Sequence, residues 1–381
     1  MSAGTKLGWD IFCTVIDNYG DIGICWRVAR QLVREHGQQV RLWVDDLDSF
    51  SRIFPAIDTG SEVQFHEDVE IRRWYEGMAT TQPADVVVEA FACRVPENFL
   101  QTMALRSPKP VWINLEYFSA ESWVAECHGL GSPHPRLPLT QYFFIPGIGP
   151  GTGGVLGSPE ELQLLDSFQS DAVARRAFWN DLGVPDDDAM RDSLFAYDNP
   201  AIPSLIEALR QASRPLRVLA SEGKSLAQVA AALDLPVLRA GDSHSQGSLT
   251  VQVLPFIEQN RYDQLLWACD VNFVRGEDSF VRAQHAARPL VWQAYMQEGG
   301  AQWPKIEAFL GNYVAGLSPN AEFALREAWR VWNAGENRPE IWLDWLGHLS
   351  EYQQHARDWA GKLRSWPNLV DELVKFTRSK V

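Results

Sequence analysis

The sequence predicts an α/β fold of two parallel-sheet domains in tandem, and three observations predict it. The chain has 381 residues, more than one hydrophobic core usually serves. Short β-rich runs alternate with helical stretches in both halves, the order that builds a parallel sheet with helices on its faces. Between the halves, residues 132–158 are rich in Pro and Gly with little periodicity, as expected on the approach to a domain boundary.

The opening reads as a βα unit. Residues 9–16 are β-rich, residues 17–23 form a turn cluster, and a helical pattern takes over at Ile24, with Trp26, Val28, Ala29, Leu32 and Val33 at 3.6-type spacing. A second strand over 39–44 ends in Asp45, Asp46, Leu47 and Asp48. Apolar runs at 85–91 and 110–115 continue the series. Within 132–158 only the aromatic run Tyr142, Phe143, Phe144 and Ile145 stands out. A helix over about 159–182 is expected to cross over. A second α/β series follows, with strands over 192–197, 216–220, 249–254, 271–274 and 289–292. From Ala321 the pattern is helical, with Trp329, Trp332, Trp342, Trp345 and Trp359 on apolar faces.

Composition excludes several function classes. With 46% hydrophobic and 22% charged residues the chain has ordinary globular make-up. Its net charge of −15, with no Lys/Arg run, is wrong for displacing counterions from phosphates, so no direct nucleic-acid binding is expected. No basic region leads into an apolar stretch at the start, and no window holds the ~20 apolar residues of a membrane span. The five Cys include no CxxC pair, and the eight His show no zinc spacing. That thiol usage, with no membrane segment, predicts a cytoplasmic protein without a structural metal.

Two constellations carry candidate chemistry. In Asp17, Asn18, Tyr19, Gly20, Asp21, Ile22 and Gly23, the glycines permit a tight turn and the helix behind them attracts negative charge. The loop is not GxGxxG, and its two acids would repel a pyrophosphate. They would instead hold a guanidinium or hydroxyl acceptor, one of them as general base, or else merely cap the helix. The second constellation is Arg275, Gly276, Glu277, Asp278 and Ser279, between a buried strand and a helix. Here Arg275 would neutralise a diphosphate and Glu277 would steady positive charge on a sugar, unless the segment is an ordinary capped helix start. Phe195 and Tyr197 at one strand end, with Phe256, Gln259 and Tyr262 after another, offer aromatic walls and an amide for a base, or simply core. Asp46-Leu47-Asp48 and Asp186-Asp187-Asp188 are rival metal leads, read more simply as helix-capping acids and a solvated linker turn.

Taken together, IFCTVIDNYGDIGICWRVARQL (11–32), LFAYDN (194–199), LPFIEQNRYDQLLWACD (254–270) and CDVNFVRGEDSFVRAQHAARPLVWQAYMQ (269–297) resemble the bacterial elongation factor P arginine rhamnosyltransferases in order and spacing, over essentially the whole chain. The resemblance implies a GT-B type fold: two Rossmann-like domains facing a central cleft, with ligands at the carboxyl ends of the strands. It implies an N-terminal acceptor domain over 1–158, a linker or crossover helix over 159–183, a C-terminal donor domain over 184–358, and a last helix of about 359–381 packing back on the first domain. It further implies inverting transfer from dTDP-β-L-rhamnose to an arginine of translation elongation factor P, with no metal and no other cofactor. By the same resemblance Asp21 is the general base, Asp17 orients the acceptor arginine, and Glu277 is the other catalytic acid. Asn18, Tyr19, Gly20 and Gly23 belong to the acceptor-side loop. Phe195, Tyr197, Phe256, Gln259, Tyr262, Arg275, Glu277, Asp278 and Ser279 line the donor pocket. The alternatives are a GT-B transferase acting on a lipid or other acceptor, a non-catalytic nucleotide-sugar binder, and an oxidoreductase lacking the third glycine of its fingerprint.

Overall fold

The computed structural model describes residues 6–16, 19–78 and 81–381. The chain divides into two compact units, Met1–Ser158 with Trp366–Val381, and Pro159–Ser365.

Unit 1 carries β1 (Gly8–Cys13), β2 (Gln39–Val44), β3 (Val63–His66), β4 (Val69–Arg73), β5 (Val86–Ala90), β6 (Val111–Leu115), β7 (Gly131–Pro133) and β8 (Thr140–Phe144), in the sheet order β3-β4-β2-β1-β5-β6-β8-β7. Strands β4 through β8 in that order run parallel, while β3 and β7 pair antiparallel at the edges. The apolar runs of β1, β5 and β6 are buried on both faces, as the inner strands of a parallel sheet must be. One face packs Phe12, Trp43, Trp74, Phe99 and Trp112 together. The rings of Phe12 and Trp43 stack at 5.3 Å. Asp10 is buried in this layer, neutralised by Arg41 at 2.7 Å and bonded by the Trp43 indole at 2.8 Å. The order of connections reverses between β1 and β5, so the carboxyl ends of these strands form a switch point, where such sheets bind ligands.

The first helix, Gly20–His36, begins at Gly20 rather than at Ile24. The Gly20–Gly23 stretch is therefore helical rather than a turn, and the Gly23 N–H already donates to the Tyr19 carbonyl at 2.9 Å. An acid in the first turn is favoured by the helix dipole, so Asp21 suits this position despite breaking the apolar pattern.

Unit 2 carries β9 (Met190–Leu194), β10 (Leu216–Ser221), β11 (Ser243–Gln246), β12 (Leu249–Leu254), β13 (Val271–Arg275) and β14 (Leu290–Gln293), in the order β11-β12-β10-β9-β13-β14. Only β11 is antiparallel to its neighbour. Its switch point lies between β9 and β13. The helices Pro319–Ala334 and Pro339–Gly347 bring Trp329, Trp332, Trp342 and Trp345, each at most 2% exposed, against this sheet. Phe273 of β13 meets Trp332, Trp342 and Trp345. These tryptophans are core, not ligand wall.

Two helical stretches differ from the sequence expectation. Residues 159–182 form two helices, Pro159–Ser170 and Ala172–Asp181, because the Asp171 carboxylate accepts from the Val173 and Ala174 N–H groups and starts a new helix. Both belong to unit 2. Residues 359–381 are likewise not one helix. Trp359 lies in Leu349–Arg364 of unit 2, and a separate helix, Leu369–Arg378, is part of unit 1. Asn368 caps that helix, receives the Gln31 amide at 3.0 Å and bridges to Val155. Phe376 then packs on Tyr142 and Phe144, each at 5.7 Å.

Candidate active site

In unit 2 the chemistry-bearing side chains gather where parallel strands end. Phe195 and Tyr197 follow β9. Phe256 follows β12 and leads to Gln259 and Tyr262 at the start of the helix Gln259–Ala268. Arg275 closes β13, and the chain then turns through Gly276, whose φ of +62° a side chain would strain, into the helix Asp278–His285. This turn is pinned from several sides. The Gly276 carbonyl accepts from the Trp292 indole at 2.6 Å, and the Gly276 N–H donates to the Gln293 carbonyl at 3.2 Å. The Ser279 hydroxyl takes the Arg275 N–H at 3.2 Å and donates back to the Arg275 carbonyl. Neither Asp278 nor Ser279 caps the helix, because the cap position is Glu277.

The guanidinium of Arg275 lies 4.4 Å from the Phe195 ring centre and 4.3 Å from that of Tyr197. Both rings thus present faces to a cation, an attraction worth about 0.5–2 kcal/mol each depending on exposure. The aromatic pair read from sequence as a wall for a base is therefore also the seat of the arginine. Phe195 in turn meets Tyr262 edge-on at 5.5 Å. The Tyr262 hydroxyl is shielded from solvent beside Ser279, whose own hydroxyl is committed to Arg275, and burial pushes the phenol pKa well up. Tyr262 therefore stays neutral, with its ring against Phe195. Gln259, 7% exposed, donates to Asp278 at 3.2 Å and so links the turns after β12 and β13. The Tyr197 N–H is fixed by Gln293 at 2.9 Å.

In unit 1 the corresponding edge holds Asp21, 1% exposed. One carboxylate oxygen accepts the Ile16 N–H at 2.9 Å and the other the Tyr117 hydroxyl at 2.8 Å. Tyr117 follows β6, and its ring stacks on Phe91 at 4.3 Å with 11° between planes. Phe91, Ala92 and Arg94, just past β5, are non-glycine residues held at φ between +53° and +58°. Such strain, of order 1–3 kcal/mol per residue, concentrates at functional sites. Asp45, after β2, accepts the Val15 N–H at 3.0 Å. Burial raises the Asp45 pKa, with that backbone bond opposing. Asp17 and Asn18 lie outside the described residues, and Tyr19 stands at the cap position of the first helix.

Other features lie away from these edges. Asp46 caps the helix Leu47–Ile53 through Ser49, so the DxD is a helix start. Asp186, Asp187 and Asp188 are exposed, as a solvated turn requires, and the first two also pair with Arg176 and with Arg217 at 2.7 Å. Among the described residues Glu35, His36 and Asp371 have potential ligand atoms within 4.8 Å of one another, but at the far end of the helix that Asp21 begins. A groove of about 700 Å³ lies at the amino ends of β1 and β2, lined by Trp9, Gln38, Arg41 and Glu70, and contains none of the candidate residues.

Comparison with known proteins decides among the readings these edges allow. A family model described as elongation factor P (EF-P) rhamnosyltransferase, EarP, matches residues 9–378. Relatives from Pseudomonas putida and Pseudomonas aeruginosa, both named protein-arginine rhamnosyltransferase, are each 47% identical to this chain. The alignments cover 99% and 97% of this chain and 100% and 98% of theirs.

The chain belongs to the EarP family.

A solved EarP structure, described as the basis for EarP-mediated arginine glycosylation of elongation factor EF-P, superposes with a TM-score of 0.71 at 35% identity. It covers 99% of this chain and 100% of that one. MurG of Acinetobacter baumannii, at 14% identity and a TM-score of 0.51 over 98% of this chain and 100% of its own, shares the fold alone. This EarP chain is thus a GT-B type glycosyltransferase, and the readings as an oxidoreductase or a silent nucleotide-sugar binder fall. Among its described residues no helix is long and apolar enough to cross a membrane.

The described residues of the two sequence constellations and of the aromatic set lie at these strand-end edges, whereas the acidic runs at 46–48 and 186–188 lie elsewhere. Sequence reasoning missed Tyr117, Phe91, Asp45 and Gln293. Each sits at or just after the end of an apolar run, and Phe195 was found by that same position. The partnership of Tyr117 with Asp21 spans 96 positions and exists only through the strand order.

Proposed function

We propose that this protein transfers L-rhamnose from dTDP-β-L-rhamnose to a guanidinium nitrogen of an arginine on translation elongation factor P. The reaction proceeds with inversion at the anomeric carbon and without a metal or other cofactor. The observation that supports it best is the seating of Arg275 between Phe195 and Tyr197 at the edge of unit 2. A fixed, always-charged guanidinium there suits a departing diphosphate. The N-terminal N–H groups of the helix Asp278–His285 add positive potential, so the leaving group gains its counter-charge from the protein. Phe256, Gln259, Tyr262, Asp278 and Ser279 complete the donor pocket in this reading.

The acceptor belongs to unit 1. A guanidinium is a poor nucleophile while protonated, and no carboxylate removes its proton in advance. Asp21 instead orients the group, draws positive charge to one side and accepts a proton as the C–N bond forms and the bond from C1 to the diphosphate oxygen breaks. Asp17 helps to orient the same arginine, and Glu277 stabilises the oxocarbenium character of the transition state. Acting on a translation factor, the protein works in the cytoplasm.

The test is the intact mass of elongation factor P after incubation with this protein and dTDP-β-L-rhamnose, beside an Asp21→Asn control. One added deoxyhexose, mapped to an arginine and absent from the control, is the expected outcome. No gain with folded protein and intact donor overturns the proposed donor–acceptor pair.

A further inference from the structure

We infer that Tyr117 is a positioning residue for this transfer, holding the Asp21 carboxylate in the one orientation from which it accepts a proton. The inference rests on the reading of Asp21 as the base, and three features of unit 1 carry it. The Tyr117 hydroxyl donates to one Asp21 oxygen at 2.8 Å while the Ile16 N–H fills a lone pair of the other at 2.9 Å. A carboxylate gripped at both oxygens cannot rotate about its terminal torsion, which in a free Asp is broad. Tyr117 is itself held. Its ring lies against Phe91 at 4.3 Å and 11°, and Phe91 is locked by its N–H bond to the Leu115 carbonyl at 2.7 Å. Finally, Phe91 sits in the left-handed region at φ +56°, a conformation an aromatic residue avoids unless the surroundings impose it.

The elements involved meet only at the switch point. Asp21 follows β1, Phe91 follows β5 and Tyr117 follows β6, so the grip spans one carboxylate and the two strand ends beside it. The base is then aimed before the acceptor arrives, and no reorientation is needed as the proton moves. The grip is built from unit 1 residues and the proposed donor pocket from unit 2 residues, so the hydroxyl should matter to turnover and not to donor affinity.

The discriminating variant is Tyr117→Phe, which keeps the ring, the Phe91 stack and the bulk and removes only the donor hydroxyl. Initial rates on elongation factor P are measured against both substrates, with dTDP binding by calorimetry and the melting temperature as controls. The expected result is a kcat lowered about 10- to 100-fold, with dTDP affinity and melting temperature at wild-type values. A merely structural ring predicts that phenylalanine rescues. An active wild type with an equally active Tyr117→Phe therefore overturns the assignment alone. So does a loss of kcat that comes with weakened dTDP binding or a lowered melting temperature. A folded wild type that transfers nothing overturns the reading of Asp21 first, and the role of Tyr117 with it.

Discussion

Buried acids in this protein meet opposite fates. Asp21 has a donor on each oxygen and Asp10 an arginine, whereas Asp192, on the central strand β9 and 1% exposed, has a partner on neither oxygen. Burial first, and the negative charge of Asp270 second, push the Asp192 pKa well above the carboxylate range, with Arg214 opposing. The folded state therefore keeps a proton that the unfolded state releases near pH 4. Between those two pKa values folding binds protons, so stability is highest in acid and falls as pH rises through the folded value. Asp192→Asn should remove that dependence. Denaturant titrations from about pH 4 to pH 8 should show the variant gaining on the wild type as pH rises, and a constant gap would count against it. From sequence, Asp192 is one polar letter inside a strand, and its isolation depends on what the fold packs around it. Arg275 was legible because it closes an apolar run at a strand's carboxyl end, and Asp21 because it stands where the turn after such a run enters a helix. Tyr117 was not, since its role comes from Asp21.

The turn from β13 into the helix Asp278–His285 is the element on which the proposed donor pocket depends. Gly276 supplies the left-handed residue, and Ser279 ties the start of the helix back to both backbone polar groups of Arg275. Ser279→Ala should free that arginine without opening the core. The expected effect on dTDP affinity is a loss of about tenfold, the worth of one good hydrogen bond, with the melting temperature little changed. Unaltered calorimetric affinity would show that the turn holds its shape without the hydroxyl. Long apolar strands such as β5 and β6 were legible because burial on both faces leaves no polar alternation to confuse. Strands β3, β4, β7 and β11 were not: β11 reads Ser-His-Ser-Gln, half exposed and paired on one side only, so its sequence carries no strand pattern. The helix Gln302–Tyr313 was also missed, although Ile306, Phe309, Leu310 and Tyr313 fall at helical spacing on its buried face.

On the scale of the whole molecule, unit 1 is assembled from two distant parts of the chain. The join is tight at Gly154, where φ is +76° and an added Cβ would lie 2.3 Å from the Pro367 carbonyl oxygen. Gly154→Ala should destabilise unit 1 by at least about 2 kcal/mol through strain and displacement of the returning segment. Hydrogen exchange should then rise in 366–381 and in β8 while unit 2 stays protected, and uniform protection would refute this account of the join. The two α/β series were legible from the alternation of runs, but the exact point of return was not, since a helix reads alike whichever unit receives it. That route sets an order of events during synthesis. The ribosome makes chain from the amino end, so the strip that completes unit 1 emerges only after all of unit 2 has been translated. Until Phe376 arrives, Tyr142 and Phe144 lack one of their aromatic neighbours, and the nascent first unit waits on the returning segment to close its own surface.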